Sequence, residues 1–277
     1  MSFSALRLVT WNVNSLKARL PRVSELLTEH RPDIALFQET KLAQDAFPHA
    51  ELAELGYSAV HHGAGRWGGV AIAVRDGLEL TGEVRGLPGE PAADEARWVE
   101  AAVTGLGGQP LRVASVYVPN GRAVGTPFYE AKLDFLDALA ERVRARADGT
   151  ALIVAGDFNV ARTDLDLYDP AAFVGSTHVT AAERQRVDAL VDAGMVDAFR
   201  RLERDAPGYT WWDYRAGHFH KQLGMRIDLA LLSPDLAGRL VACGIDRGYR
   251  KGPKPSDHAP LFLELAGAAP EASASTA

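Results

Sequence analysis

Cysteine is almost absent from this sequence, since Cys243 is the only one in 277 residues. A single thiol forms neither an intrachain disulfide nor a cluster of cysteine ligands around zinc. Disulfide-stapled folds and cysteine-based zinc modules are therefore excluded. Such cysteine usage is typical of proteins that fold in a reducing compartment, and we predict a cytoplasmic protein.

Long hydrophobic runs are missing as well. No apolar stretch approaches the ~20 residues that a membrane-spanning helix needs, and the first five residues lack the charged start and apolar centre of a signal peptide. We therefore expect no membrane partner. The one low-complexity stretch, residues 267–277, is rich in Ala and Ser. We predict a disordered tail there, after a single domain at residues 1–266.

An excess of positive charge is the third absence, because the formal net charge is −6. A nucleic-acid-binding domain usually shows a basic footprint, so this balance does not by itself point to DNA. It is compatible with DNA if several carboxylates hold a cation and basic residues gather on one face, as the run Arg247–Lys254 allows. Solvated surface charge is an equally good explanation of such a run.

Short β-prone runs alternate with a few helical periodicities, which predicts a mixed α/β fold. Strands are predicted at residues 6–11, 34–38, 70–74, 98–103, 111–118, 151–155, 227–232, 240–245 and 261–265. Helices are predicted to begin at Pro21, to span residues 129–147, and to follow a capping box at residues 180–183. Hairpin-like spacing between residues 70 and 118 favours antiparallel pairing, and two sheets packed face to face with helices outside would fit.

Five short polar motifs follow or interrupt these strands. They are Trp11-Asn12-Val13-Asn14, Gln38-Glu39-Thr40-Lys41, Gly156-Asp157-Phe158-Asn159, Arg226-Ile227-Asp228-Leu229 and Ser256-Asp257-His258. Each alone has an ordinary structural explanation. Together they supply carboxylate, amide and imidazole groups at strand ends, which indicates metal-assisted phosphate chemistry.

The first two motifs supply groups suited to a cation or a phosphate. Glu39 follows a short apolar strand, which favours a carboxylate in a cleft, although an ordinary strand-end acid is the alternative. Lys41 either pairs with Glu39 or contacts a phosphate. Asn12 and Asn14 flank the end of the first predicted strand, where an amide binds a phosphate or a metal-bound water, or stabilises a turn.

The other three motifs supply two neighbouring polar groups and a charge pair. Asp157 and Asn159 stand two residues apart, so extended backbone would direct both side chains to one side; a turn that they stabilise is the alternative. Asp228 interrupts an apolar strand, and a buried carboxylate is costly unless it is paired. His258 is a natural partner, because an Asp–His pair fixes the imidazole tautomer and favours its protonated form.

Hard oxygen ligands without a cysteine cluster favour magnesium or manganese over structural zinc. Magnesium needs only one or two carboxylates, which Glu39 with Asp257 or Asp157 would supply. Tyr117 can donate its hydroxyl to a phosphate, although a strand tyrosine more often belongs to the core or its rim.

In their order along the chain, the motifs resemble those of the exonuclease III family of abasic-site endonucleases, part of the endonuclease/exonuclease/phosphatase superfamily. The resemblance covers about residues 6–265. Gly-Asp-Phe-Asn and Ser-Asp-His are shared across the superfamily. Gln-Glu-Thr-Lys, Tyr-Val-Pro-Asn-Gly at 117–121 and Tyr-Thr-Trp-Trp-Asp-Tyr at 209–214 point to its DNA-repair branch.

The resemblance implies a four-layer α/β/β/α sandwich with two packed mixed sheets. It also implies a monomeric hydrolase that cuts double-stranded DNA 5′ to abasic sites and leaves a 3′-hydroxyl, with 3′-to-5′ exonuclease and 3′-phosphatase activity at blocked 3′ ends. Mg²⁺ is the expected cofactor, with Mn²⁺ as a substitute. The alternatives are a superfamily enzyme acting on a phospholipid or inositol phosphate, and a relative that binds DNA without cutting it.

The resemblance also implies a role for each motif residue. The implied metal ligands are Glu39 as the main one, with Asn12, Asn14, Asp157, Asn159 and Asp257. Asp157 is implied to orient or deprotonate the attacking water. The implied phosphate-holding groups are Asn159, Tyr117 and His258, with Asp228 supporting His258.

Four further residues are implied to contact the substrate. Trp211 and Met225 stand where the family places the walls of a pocket for a flipped abasic sugar, with membership of the core as the alternative for both residues. Arg122 lies in a segment that can enter the duplex. Lys41 is the fourth candidate.

Overall fold

The protein is described by a computed structural model that covers residues 5–106, 110–146 and 149–267. The predicted disordered tail at 267–277 lies outside the described residues except for Gly267. Within these ranges, no helix is both long enough and apolar enough to span a bilayer.

The described residues form strands and α-helices in a mixed order, with five consecutive strands between residues 57 and 117. The strands are β1 (Ala5–Asn12), β2 (Ile34–Gln38), β3 (Tyr57–His62), β4 (Val70–Arg75), β5 (Glu79–Arg85), β6 (Trp98–Thr104), β7 (Leu111–Tyr117), β8 (Leu152–Asp157), β9 (Val196–Asp197), β10 (Asp228–Leu232), β11 (Leu240–Ile245) and β12 (Leu261–Ala266). The α-helices are α1 (Leu16–His30), α2 (His49–Glu54), α3 (Pro127–Arg144), α4 (Ala181–Asp192), α5 (Ala198–Leu202) and α6 (Pro234–Ala237).

These strands form two six-stranded sheets with the same internal plan. The first sheet has the order β11-β12-β1-β2-β4-β3, and the second has the order β5-β6-β7-β8-β10-β9. In each sheet the two central strands are parallel, β1 with β2 and β7 with β8. Their other neighbours are antiparallel, so both sheets are mixed.

Apolar side chains fill three layers between the elements. The inner faces of the two sheets meet in one buried cluster, to which Leu36 and Ile72 contribute from the first sheet and Val113 and Ile153 from the second. The helices α1 and α2 cover the outside of the first sheet, and α3 and α4 cover the second. The predicted four-layer α/β/β/α sandwich is confirmed.

The predicted start of the first helix at Pro21 is wrong. Helix α1 begins five residues earlier, at Leu16, and Pro21 lies inside it. The Ser15 hydroxyl caps this helix by accepting a hydrogen bond from the Ala18 amide at 3.4 Å. A serine cap satisfies one free amide of the first turn, and it determines where the helix begins more strongly than the proline downstream.

The strand register brings the polar motifs to one edge of the sandwich. Asn12 pairs with Gln38 at the ends of the parallel strands β1 and β2, while Tyr117 pairs with Asp157 at the ends of β7 and β8. Asp228, the first residue of β10, is also paired with Asp157 because β10 runs antiparallel to β8. The motif residues therefore converge from both sheets.

Candidate active site

The Asn12 side chain links the two sheets at this edge. Its amide nitrogen donates to Glu39 Oε1 at 2.9 Å and to Asp157 Oδ2 at 2.8 Å. Asn12 is fully buried and Asp157 is almost so, whereas the Glu39 side chain is 17% exposed. The two carboxylates are thus held side by side, with Glu39 facing the solvent.

A second group of residues surrounds the Glu39 carboxylate. Lys41 Nζ lies 2.9 Å from Glu39 Oε2 and also donates to the amide oxygen of Asn14. The Asn14 amide nitrogen donates to Asp257 Oδ1 at 2.9 Å, and Trp211 Nε1 donates to Asp257 Oδ2 at 3.0 Å. The pairing of Lys41 with Glu39 is the first of the two alternatives that the sequence left open.

The Asp228–His258 pair completes the cluster. His258 Nδ1 lies 2.8 Å from Asp228 Oδ2, and both side chains are buried. The other ring nitrogen, Nε2, lies 3.7 Å from Asp157 Oδ2. The predicted Asp228–His258 partnership therefore exists, and it directs the imidazole toward Asp157.

Burial and the crowding of carboxylates shift the pKa values of this cluster. Burial, reinforced by Asp228 and Glu39, raises the pKa of Asp157 to about 7, although His258 opposes the shift. Burial lowers the pKa of His258, but Asp228 and Asp157 outweigh that effect and raise it to about 10. At neutral pH the imidazole is a cation, and Asp157 lies close to its midpoint of titration.

The phenol of Tyr117 lies against the same carboxylates. Burial and the negative charge of Glu39 raise the pKa of Tyr117 well above its ordinary value, while Arg97 opposes the shift. The Arg97 guanidinium lies 4.8 Å from the Tyr117 ring centroid. The hydroxyl therefore stays protonated at neutral pH and remains a hydrogen-bond donor.

The backbone around Asn159 is not extended, so the alternative in which extended backbone directs Asp157 and Asn159 to one side does not apply. Asn159 has a φ of 51°, and its amide donates to Asp157 Oδ1 at 2.9 Å in a local turn. The Asn159 side-chain amide donates to the Val118 carbonyl at 2.9 Å, and the Asn120 amide donates to its oxygen at 3.3 Å. The turn alternative describes this segment correctly, and Asn159 is held on the β7 side.

Several candidate site residues share one unusual backbone conformation. Non-glycine residues rarely adopt positive φ, and those that do cluster at functional sites. The candidate residues with φ between 45° and 54° are Asn14, Glu39, Lys41, Arg122 and Asn159. These loops are held in strained shapes by their neighbours.

Glycine is required just before Asp157. Gly156 has a φ of 152°, and a Cβ atom at this position would lie 2.0 Å from the carbonyl oxygen of Val116 on β7. Any side chain there would push apart the two central strands that carry Tyr117 and Asp157. The glycine of the Gly-Asp-Phe-Asn motif is thus explained by close strand approach.

A cavity of about 510 Å³ opens beside the carboxylates, and Glu39 and Tyr117 form part of its wall. Trp67, which is 67% exposed, lines it as well. Arg122 lies at this cavity rather than in the carboxylate cluster, with its guanidinium 3.5 Å from the Phe128 ring centroid. Arg122 therefore shares this cavity with Glu39 and Tyr117 but lies outside the hydrogen-bonded carboxylate cluster.

Trp211 and Met225 lie together next to Asp257 and His258. Their backbones form an isolated β-bridge, and Trp211 forms another with His258. Met225 is buried in a small apolar cluster with Leu167 and Ile227, and Trp211 packs against that cluster. Trp211 thus contacts the site directly through its hydrogen bond to Asp257. Met225 is connected to the site through its backbone bridge with Trp211.

Sequence reasoning missed two buried charge networks that support the site. Arg226, fully buried, donates to both carboxylate oxygens of Asp197 at 3.1 and 2.9 Å and to Asp166 at 2.7 Å. Its place in the Arg-Ile-Asp motif, two residues before Asp228, was the available signal. Lys132 and Glu183 form a second buried pair, and Glu183 was recognised only as the acid of a capping box.

The donor set fits a hard divalent cation. Glu39 and Asp157 each offer a carboxylate oxygen, and these two atoms and a His258 ring nitrogen lie within 4.8 Å of one another. Because the imidazole is protonated at neutral pH, the two carboxylates are the ligands of this set. The ammonium of Lys41 already lies against the outer oxygen of Glu39, which marks this carboxylate as a place where positive charge is favoured. Carboxylate oxygens at a partly open edge suit magnesium or manganese.

Comparison with known proteins points to one family. The profile of the Endonuclease/Exonuclease/phosphatase family matches residues 9–258. Exodeoxyribonuclease III of Haemophilus influenzae is 32% identical over 270 residues, which covers 94% of this chain and 100% of that protein.

Solved structures agree with this match. A 3′ phosphatase from Neisseria bound to a product DNA hairpin is 39% identical, with a TM-score of 0.89, 94% of this chain covered and 99% of that chain. An AP endonuclease from Archaeoglobus fulgidus is 34% identical, with a TM-score of 0.87 and coverage of 93% and 98%.

Proposed function

We propose that this chain, which belongs to the Endonuclease/Exonuclease/phosphatase family, cuts double-stranded DNA on the 5′ side of abasic sites and leaves a 3′-hydroxyl. It is a hydrolase of the DNA-repair nuclease type. The observation that carries this proposal is the convergence of Glu39, Asp157 and the Asp228–His258 pair at one edge of the sandwich. Hydrolysis of a phosphodiester needs an activated water and positive charge at the phosphoryl oxygens, and this edge supplies both.

In the proposed mechanism, Asp157 accepts the proton of the attacking water. Burial raises the pKa of Asp157 above that of an ordinary carboxyl group, which makes it a better proton acceptor. His258, with a pKa of about 10, remains protonated and stabilises negative charge on the phosphate. Asp228 holds the imidazole so that Nε2 faces the reaction, and the Tyr117 hydroxyl and the Asn159 side chain help to hold the phosphate.

We propose Mg²⁺ as the cofactor, with Mn²⁺ as a substitute. Glu39 would be its main ligand and Asp157 would lie beside it. Asn12, Asn14, Asn159 and Asp257 support this arrangement through the hydrogen bonds described above. When bound, the cation neutralises charge on the phosphate and lowers the pKa of water.

Removal of groups from 3′ ends is the second candidate activity. It is favoured by the two similar structures at 39% identity, a 3′ phosphatase and a 3′-5′ exonuclease, both from Neisseria. The same phosphoryl chemistry serves both reactions. The two activities differ in the part of the DNA that enters the site. We propose that Trp211 and Met225 admit a flipped abasic sugar; a cleft that accepts only a strand end would allow 3′-end processing alone.

The test uses three duplexes. One carries a central abasic analogue, one has a recessed 3′ end with a phosphate, and one has a recessed 3′ end with a hydroxyl. Each is incubated with Mg²⁺ or with a chelator, and with the Asp157→Ala variant as a control. A 3′-hydroxyl product from the abasic duplex that requires Mg²⁺ and Asp157 supports the leading proposal. Cleavage of only the 3′-ended duplexes supports the second activity. Three intact duplexes would contradict both and favour a phospholipid or inositol phosphate substrate, or a non-cutting relative.

Three further proposals concern the whole molecule: that residues 1–266 act as one domain, that the protein is a monomer, and that it works in the cytoplasm. Size-exclusion chromatography with light scattering, in the presence and absence of duplex DNA, tests the monomer.

A further inference from the structure

A buried ion pair joins the two helices that cover the second sheet. The side chains of Lys132 on α3 and Glu183 on α4 are both fully buried, with Lys132 Nζ 2.5 Å from Glu183 Oε1. Taking two charges out of water costs about as much as their attraction returns, so a buried pair gives little net stability. The position of this pair suggests a role beyond stability.

The Lys132 ammonium reaches both loops that carry site residues. Its nitrogen donates to the carbonyl of Asn159 at 2.7 Å, in the loop after β8, and lies 3.4 Å from the carbonyl of Asn120, in the loop after β7. These loops follow directly from Asp157 and Tyr117. One buried cation therefore bridges the loops that follow the two central strands.

The carbonyl of Asn159 receives a second donor, because His178 Nδ1 lies 2.5 Å from it. Two donors on one carbonyl hold Asn159 in its strained left-handed conformation. In that conformation the Asn159 amide donates to Asp157 Oδ1. The orientation of the Asp157 carboxylate thus depends on contacts made from outside the site.

Glu183 holds this arrangement together. Besides Lys132, its Oε1 accepts from the Thr177 hydroxyl at 2.7 Å and from the backbone amide of His178 at 2.9 Å. The loop after β7 packs against the same lysine, since a Cβ atom on Gly121 would lie 2.9 Å from Lys132 Cδ. Neither Lys132 nor Glu183 is exposed to a substrate.

We propose that Lys132 and Glu183 are positioning residues, which fix Asn159 and through it the attacking geometry of Asp157 without touching the DNA. This inference rests on the proposed nuclease function. Outer partners of this kind typically affect activity by about 10- to 100-fold when they are removed.

The test compares Lys132→Met, Glu183→Gln and the double variant with a matched control, Glu100→Gln. Glu100 is also fully buried and also anchors α3, through Arg142 Nε at 2.9 Å, but it belongs to β6 and bonds to neither motif loop. In the Lys132→Met, Glu183→Gln and double variants we expect kcat to fall about 10- to 100-fold, with KM changed less than about threefold. Glu100→Gln should lower thermal stability and leave kcat within about twofold of the wild type.

The double variant separates positioning from stability. It leaves no buried charge unpaired, so it should be more stable than either single variant. Its kcat should nevertheless stay low, because the donor to Asn159 is gone. Recovery of kcat to within about twofold of the wild type would overturn the proposal, as would an equal loss of kcat in Glu100→Gln.

Amide hydrogen exchange gives a readout that does not depend on activity. Residues 157–160 should exchange faster in the double variant than in Glu100→Gln and the wild type. Unchanged exchange at these residues would overturn the inference. A wild type that cuts no DNA would instead overturn the proposed function, and the exchange result would still decide the role of the ion pair.

Discussion

Asp228 and His258 are 30 positions apart in the chain, yet Asp228 Oδ2 lies 2.8 Å from His258 Nδ1 in a fully buried contact. A carboxylate oxygen only accepts hydrogen bonds, so Nδ1 carries the proton. The contact therefore fixes the direction of the ring, and it leaves Nε2 facing Asp157.

Asp228→Asn should reduce kcat about 100-fold or more with little change in KM. The amide can donate to Nδ1 and so stabilise the wrong tautomer, and it removes the negative charge that keeps the ring protonated. Kinetics with abasic and 3′-phosphate duplexes, together with ¹⁵N NMR of the imidazole, check this expectation. The control variant Asp45→Asn, at an exposed residue, should leave kcat unchanged. A folded Asp228→Asn enzyme with wild-type kcat would refute the role of the pair.

Glu39→Gln should raise the Mg²⁺ concentration needed for half-maximal activity by at least about tenfold. The amide keeps the size of the side chain but removes the charge that attracts the cation. A metal titration of cleavage and direct calorimetry of Mn²⁺ binding are the measurements. Glu141→Gln, at a 75% exposed side chain far along α3, serves as the charge-matched control. Equal metal dependence in both variants would exclude Glu39 as the main ligand.

The sequence predicted the Asp228–His258 pair because an acid inside an apolar strand needs a partner. The Asp257-His258 motif, in the loop before the last strand, offered a histidine for that role. The sequence also predicted most strands, since their apolar runs are unbroken. The strands β3, β5 and β9 were missed; β5 has no apolar run in its sequence, and β9 is only two residues long. Lys132 and Arg226 were missed for a different reason: their partners lie up to 60 positions away, and no local pattern records such a distance.

Arg226→Met should lower the free energy of unfolding by about 3–5 kcal/mol, because it leaves the buried carboxylates of Asp166 and Asp197 without their shared partner. Urea denaturation followed by circular dichroism measures this change. Arg144→Met removes an ion pair at the surface, where the arginine side chain is 49% exposed, and should cost less than about 1 kcal/mol. Similar losses in the two variants would show that the buried network is not needed for stability.

The Glu183–Lys132 pair should make the protein sensitive to acid. Burial acts to raise the pKa of Glu183, but Lys132 outweighs it and lowers the pKa to about 2, below the ordinary value of about 4.3. A depressed carboxylate pKa gives stability that is present above the unfolded-state value and is lost as the pH falls toward the folded-state value. The stabilising contribution of Glu183 should therefore disappear between about pH 5 and pH 2.

Urea denaturation of the wild type and of Glu183→Gln across that range measures this loss. The wild type should be the more stable protein at pH 7, and the difference should narrow as the pH falls. A difference that stays constant from pH 7 to pH 2 would show that Glu183 is not held ionised by Lys132.

The hydrogen bond from Asn12 to Asp157 crosses between the sheets and joins residues 145 positions apart. Glu39 comes from the first sheet and Asp157 from the second, so neither half of the chain holds the cluster alone. The carboxylate cluster on which the proposed cleavage depends therefore exists only when the two sheets are packed against each other.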